Sequence, residues 1–490
     1  MLGGNLLKTG KNLSKIVKKL QNLFKNNAKY SFFRIKGLKK PCRALYNIVG
    51  IFLNLNKYLR CNINQTLCVI GTFLFIVLPL FGAPEKVALK NGITVILNKD
   101  TGSPIIAVTL FVKNGSSYES RENNGVTNLA FDLLTKGTTT KDAAKFAEEV
   151  ESIGASLDAS GGDDISTVSL VSVQKYFPKA LGLMAEAVLT PAFSRDELEK
   201  QRKETLAAIK SREDRNFEFT YRNFKEVFYE GHCYRLDKLG TPDSLPKINT
   251  EDVSKAYLSG LSAPRIVIAV SGDYFQDIME MLERRFGSIP AKDDGSLKQG
   301  NTDFKLEKNG ETTVKSDKAQ CMLLIGYPAP SLGTPDFPAV KVLSSAIGGG
   351  MSSKLFNDLR EKQGLAYEIG SFSPTKLYGS HFVFYAGTRK ENIEKLKAGI
   401  FEQVEKIKNG SALSEEDITA AKNYIVGNFY LDKQTNSRKA WYLGWYEIMG
   451  KGFAYIDGYA GDISNVTKAD INKAAEKYFN NHVLSVMESK

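Results

Sequence analysis

A hydrolytic metal centre needs three protein donors, an open position for water and a base beside it. This 490-residue chain offers little for one. Its only histidines are His232, His381 and His482, and no two stand at metal-ligand spacing. Of five cysteines, Cys42, Cys61 and Cys68 lie near the start and Cys233 and Cys321 are far apart, so neither a disulfide framework nor a C-x-x-C site is indicated. Cys233 and Cys321 read as small buried hydrophobes. Two stretches remain. Gly125-Val-Thr-Asn128-Leu-Ala-Phe131-Asp132-Leu-Leu-Thr-Lys-Gly137-Thr138 has apolar residues at helical spacing, with Gly137 where a helix end takes a left-handed residue. Asn128 and Asp132, four apart, share one face of it. The other stretch, Ser352 to Tyr367, holds Arg360 and Tyr367, whose spacing taken bare assigns them no chemistry.

The frame of the first stretch resembles the active-site helix of the insulinase/pitrilysin family of zinc peptidases, which runs G-x-x-H-x-x-E-H and closes on K-G-T. The resemblance puts the first ligand histidine at Asn128, the second at Asp132 and the general base at Phe131, which can neither take a proton nor polarise water. Gln201-Arg-Lys-Glu-Thr-Leu-Ala-Ala208-Ile209 resembles the family's later helix and puts Ala208 at the third ligand. No position keeps the family's residue, and only Asp132 could still ligate. No metal is expected on this chain, and no hydrolysis by it alone; Asp132 reads as a hydrogen-bonded polar remnant.

The second stretch resembles the family's S-x-L-x-x-x-L-R-E-x-x-G-L-x-Y block. In such proteins the Arg and Tyr project into the chamber and contact the peptide backbone and the developing oxyanion, roles that would fall to Arg360 and Tyr367. Read without the family, Arg360 is an exposed helix-end cation and Tyr367 the start of a strand. Gly348-Gly349-Gly350 resembles the glycine-rich loop that touches incoming substrate in two-chain members, and equally reads as a helix C-cap and turn. His232, in Gly231-His232-Cys233-Tyr234 with Leu239-Gly240-Thr241 following, resembles a structural turn of the family. His381 and His482 sit in strand patterns as structural residues. Trp441, Tyr442, Trp445 and Tyr446 form a helical stripe that reads as packing, with a peptide-binding face as the alternative.

The elements that must position these residues repeat. Phe193 to Leu198 and Leu413 to Ile418 both open long helices from a Ser cap followed three residues on by an acid, 220 residues apart. Thr250-Glu-Asp-Val253 and Thr467 to Ile471 each cap a short helix leading into a final strand, Arg265–Val270 and His482–Met487. The expected fold is α+β: two homologous repeats, each an antiparallel sheet covered by helices. The first spans 84–290, a linker 291–311 and the second 312–490. Strands are expected at 87–89, 94–97, 106–112, 167–173, 321–326 and 381–386. Helices are expected at 125–136, 142–153, 178–189, 194–212, 221–229, 338–346, 354–362, 392–408 and 415–430. The resemblance adds that two such repeats make half of a clamshell chamber.

The net charge of +12 is concentrated outside this body. Residues 1–84 carry 14 Lys/Arg and no acid, which leaves 52 basic against 54 acidic residues beyond and gives a basic nucleic-acid face no support. Residues 1–66 form a basic leader and 67–83 an uncharged apolar run, short of the about 20 residues of a membrane span. The run reads as an export signal, with a single membrane anchor as the alternative and the periplasm as the destination. For the long basic region before it, one reading is a true start nearer residue 60, and the other is that residues 1–50 are a membrane-surface or organellar presequence, though the cations are mostly Lys. The resemblance is strongest to the short, mitochondrial-processing-peptidase-like members that work as heterodimers. It implies a non-catalytic subunit whose zinc-bearing partner cleaves unfolded peptides, the alternative being a scaffold or peptide-binding protein.

Overall fold

The computed structural model describes residues 83–490; the basic leader and all but the last residue of the apolar run lie outside them, and with them the expectations of export, anchoring and a presequence. Among the described residues no helix is long and apolar enough to cross a membrane. The first repeat runs β1 (Glu85–Ala88), β2 (Thr94–Lys99), β3 (Ile105–Val112), α1 (Val126–Leu133), α2 (Ala143–Glu151), β4 (Ser156–Ser160), β5 (Ser166–Val173), α3 (Phe177–Leu189), α4 (Arg195–Glu213), α5 (Asn216–Phe228), α6 (Thr250–Gly260), β6 (Ile266–Gly272) and α7 (Ile278–Phe286). The second runs β7 (Gly310–Ser316), β8 (Cys321–Ala329), α8 (Phe337–Gly348), a π-helix at Phe356–Glu361, β9 (Glu368–Phe372), β10 (Ser380–Thr388), α9 (Ile393–Lys408), α10 (Glu415–Asp432), α11 (Asn436–Ile448), α12 (Tyr455–Asn465), α13 (Lys468–Tyr478) and β11 (Val483–Ser489).

Two sheets result, ordered β1-β2-β6-β3-β5-β4 and β7-β11-β8-β10-β9. They are mostly antiparallel, but each contains one parallel pair, β2 with β6 and β7 with β11. The registers superpose at a constant offset of 216 residues (Thr94 to Gly310, Val267 to Val483). The expected strands and helices are present with shifted ends. The segment at 354–362 is π-helical at its centre instead of α-helical, α5 starts at Asn216, and β7 begins at Gly310, inside the end of the expected linker. Asn249 and not Thr250 caps α6, in a box with Asp252. β4 and β7 were not legible in the sequence, and of β9 only its start near Tyr367 was; all three are sheet edges, β7 alternates exposed and half-exposed residues without an apolar face, and β4 turns only the half-exposed Leu157 and Ala159 toward the core.

The repeats exchange helices. α5, from the first repeat, packs on β7, β8 and β11 of the second sheet, while α11, from the second, packs on β2, β3 and β6 of the first. Each central strand is therefore buried on both faces, which is why β3 reads Ile-Ile-Ala-Val-Thr-Leu-Phe-Val with no polar alternation. The two crossings use one geometry with the partners interchanged. Phe111 of β3, opposite Val267 and Thr167, fills the space over Gly444 of α11. At the equivalent place in the second sheet Gly326, opposite Val483 and Val383, receives Phe224 of α5. A Cβ on either glycine would fall inside the facing ring, and both phenylalanines are fully buried. Gly326→Ala and Gly444→Ala should each lower stability by about 1–3 kcal/mol, read as a fall in the urea midpoint; an unchanged midpoint for both would contradict this packing.

A polar chain crosses the same interface. Tyr221 of α5 and Tyr229, just past its end, bracket His381 of β10, with Tyr221 Oη 2.7 Å from Nε2 and Tyr229 Oη 2.8 Å from Nδ1. Tyr229 Oη donates onward to Gly379 O at 3.4 Å, so Nδ1–H donates to Tyr229 and Nε2 accepts from Tyr221. Complete burial holds the imidazole neutral, its pKa well below the ordinary histidine value. The unfolded chain thus binds a proton that the folded one refuses, and this contribution to stability, full above about pH 6.5, is lost as pH falls below it, at about 1.4 kcal/mol per pH unit. In His381→Gln the dependence of unfolding free energy on pH between 6.5 and 5 should flatten by about one proton relative to the parent.

Candidate functional site

Helix α1 is held from both ends of its N-terminal turn. Glu119 lies outside the helix and is buried, and it accepts from Gly125 N, Thr127 N and Asn124 Nδ2, each at 2.8 Å. A carboxylate here satisfies orphan amides and faces the positive end of the helix, although burial pushes its pKa above the usual range. Gly125 (φ 96°) and Gly240 (φ 81°) pack backbone against backbone, and Ser244 Oγ donates to Asn124 O at 2.7 Å. The Leu239-Gly240-Thr241 turn is thus a clamp on α1. His232 belongs to that clamp's supporting loop: its buried Nδ1 accepts from Tyr234 N at 3.1 Å, leaving Nε2–H for Thr302 O at 3.2 Å. His482 packs among Phe401 and Tyr327.

At the centre of α1, Asn128 Nδ2 donates to Asp132 Oδ2 at 2.8 Å, and Gln201 Nε2 of α4 donates to the same oxygen at 3.1 Å. Phe131 is buried, edge-on to Tyr257 at 5.6 Å. Ala208, the expected third-ligand position, is exposed; the α4 residue that meets Asp132 is Gln201, two helical turns earlier. This set does not fit zinc. It holds one anionic donor, two amides that spend their N–H groups on it, and an apolar ring where a base would stand. Among the described residues no group of three or more His, Cys, Asp or Glu is placed to hold a metal. Burial pushes Asp132 up to about 6 against the pull of Lys238, Lys136 and its two amide donors. Zinc binding should appear in Asn128→His/Asp132→His/Gln201→Glu and not when Ala208→Glu replaces Gln201→Glu, as measured by bound metal after gel filtration; equal uptake would restore the Ala208 assignment.

Beside this helix lies a cleft of about 490 Å³ where the repeats meet, walled by α5, the end of α4 and the 234–243 loop. Most of its charges are paired: Arg212 and Lys225 with Asp237, Arg222 with Glu213, and Arg235 with Glu226. At its inner end Lys376 of the second repeat bonds Asp163, in the Gly161-Gly162-Asp163-Asp164 turn after β4. Burial alone would raise the Asp163 carboxyl, but Lys376 and Lys225 hold it well below the usual range. Asp164 accepts from Tyr234 Oη at 2.7 Å, and that oxygen accepts from Leu377 N and Tyr378 N. Gly161 of this turn packs against the Asn128 backbone, so the second repeat helps place the turn that supports α1. Past the Asp163–Lys376 bridge a second pocket of about 250 Å³ opens, and Lys238 lines both.

Arg360 and Tyr367 are brought to the surface. Arg360 lies on the π-helix, a geometry often found at functional positions, with its guanidinium 4.6 Å over the Phe356 ring. Tyr367 is 51% exposed just before β9, and Arg389 Nε donates to its phenol oxygen while the guanidinium covers its ring. The two side chains make no hydrogen bond with each other. Gly348 and Gly349 are glycines because α8 packs closely on Ser371 and on its own Ser345, whereas Gly350 (φ 145°) faces open space beside the exposed Met351. Residues that sequence reasoning missed are Glu119, Gln201, Lys238, Lys376 and Arg389. Only Glu119 carried a signal, an acid shortly before an uncapped helix start.

Residues 94–236 match the family described as "Insulinase (Peptidase family M16)" and residues 247–425 match "Peptidase M16 inactive domain". An "Uncharacterized zinc protease" of Rickettsia felis is 28% identical over 414 residues, covering 81% of this chain and 96% of that protein. The "Non-peptidase homolog YmxG" of Helicobacter pylori is 22% identical over 353 residues, covering 71% and 80%. Among solved structures, the peptidase M16 inactive domain from Pseudomonas fluorescens superposes with a TM-score of 0.76 at 22% identity, covering 83% of this chain and 98% of that one.

Proposed function

Because the chain belongs to the insulinase (M16) family of peptidases and keeps none of the zinc-site residues that its frame was built around, we propose that it is a non-catalytic subunit. In this reading it pairs with a zinc-bearing relative, closes half of the peptide chamber and offers Arg360 and Tyr367 to the substrate. The observation that carries the reading is the joint state of the two sites. The metal helix is intact as architecture while its chemistry has been replaced by a hydrogen-bonded Asn128–Asp132–Gln201 plug. The Arg360–Tyr367 block, by contrast, stands exposed, with Tyr367 supported by Arg389. Zinc would be the partner's, and an extended unfolded peptide the common substrate; the free edge of β4 beside α1 offers unpaired backbone groups to such a chain. The uncharged run before residue 84 supports export to the periplasm, free or held by a single anchor.

A second reading draws on Arg389. Its bond to Tyr367 already engages the phenol, as a purely structural tyrosine would be engaged, and this favours a peptide-binding or scaffold protein without a part in hydrolysis. Coexpression with a zinc-bearing family member separates the two. The subunit reading expects peptidase activity from the pair alone, reduced at least about tenfold by Arg360→Ala or Tyr367→Phe, each a lost transition-state donor. Full activity in both variants would leave only the scaffold.

A further inference from the structure

The second pocket lies where β4 ends, beyond the Asp163–Lys376 bridge. It is lined on one side by Trp441 and Trp445 of α11 and by Met449 just past its end, with Ile165, Thr167 and Ser160, the last residue of β4, completing the apolar part of the lining. The indoles stack at 5.3 Å and 12°, with the Arg438 guanidinium over Trp441 on the outer side. The expected aromatic stripe therefore divides. Ala440, Leu443, Gly444 and Tyr446 are buried in the core against the first sheet, whereas both tryptophans stay half-exposed around the opening. Lys238 stands at the rim with no acid within ion-pair distance among the described residues, unlike Lys376.

We propose that this pocket is a side-chain subsite for an extended polypeptide, selecting a large apolar, preferably aromatic residue. The inference rests on the peptide-binding part of the function proposed above and adds where and how the chain is read. A peptide strand added to the free edge of β4 runs past Ser160 into the pocket mouth. Side chains alternate across such a strand, so one of them can turn toward the indoles while the backbone stays at the edge. Stacked indoles give a broad apolar contact that orders few rotamers. The Lys238 ammonium at the rim donates to carbonyls of the same backbone, whatever their side chains. Recognition thus splits into a sequence-blind part, from β4 and Lys238, and a selective part from the Trp441–Trp445 wall.

The chain's only two tryptophans are these two, so their emission reports the pocket without a label. The full chain is titrated with a ten-residue uncharged peptide carrying one central Phe, and with its Phe→Ala counterpart, both also followed by anisotropy of an N-terminal fluorescein. The Phe peptide should shift tryptophan emission saturably and bind about tenfold or more tighter than the Ala peptide, as burial of one aromatic side chain requires. Trp441→Ala and Trp445→Ala should erase that preference. Lys238→Gln should weaken both peptides by a similar factor. Anisotropy that reports binding with no change in emission, or with equal affinity for the two peptides, overturns the subsite and leaves peptide binding standing. No binding by either signal, in a chain whose far-UV dichroism is native, overturns the peptide-binding reading itself.

Discussion

The exchange of α5 and α11 between repeats is the contact on which the remainder of the molecule depends. Each sheet carries apolar residues on both faces, and its own repeat supplies helices for only one. The other face must be covered by the neighbour's helix or left in water. The interchanged Phe–Gly pairs show how tightly this is specified: the bulk is on the strand at one crossing and on the helix at the other. The two repeats, alike in topology, are thus complementary at this contact, each fitted to the other.

That exchange also brings chemistry together. The inter-repeat surface is not purely apolar; it includes the Tyr221–His381–Tyr229 chain and the Asp163–Lys376 bridge. Buried polar groups of this kind are costly unless every donor and acceptor is met, and here the partners come from both repeats. Through Asp163 the second repeat fixes the Gly161–Asp164 turn, and through Gly161 that turn packs on α1. Helix α1 is consequently locked by contacts that do not involve a metal. Asn128, Asp132 and Gln201 satisfy their polar groups among themselves, and Phe131 adds apolar burial against Tyr257.

Much of this was legible in the chain. The helices declare themselves by apolar periodicity and Ser or Thr caps, and the internal repeat by recurrence of those caps at one spacing. The absence of paired histidines excludes a His-based metal centre without any coordinates. The edge strands β4 and β7 were not legible, because β4 offers only Leu157 and Ala159 to the core and β7 carries no apolar alternation, while β9 showed only its start near Tyr367. The π-helix under Arg360 was read as an ordinary helix, since a change of hydrogen-bonding register leaves no mark on composition.

What the sequence alone determined is local or periodic: element types, the two-repeat plan, and the want of any two histidines at metal-ligand spacing. What only the tertiary structure decided is which residues of distant elements face each other. Gln201, and not Ala208, meets Asp132, because the rotation and slide of α4 against α1 are set by packing and not by either helix's own pattern. Likewise Trp441 and Trp445 border a pocket while Tyr446, on the same helix, is core. A helical stripe states that its residues share a face; only the surface opposite fixes whether that face is filled or open.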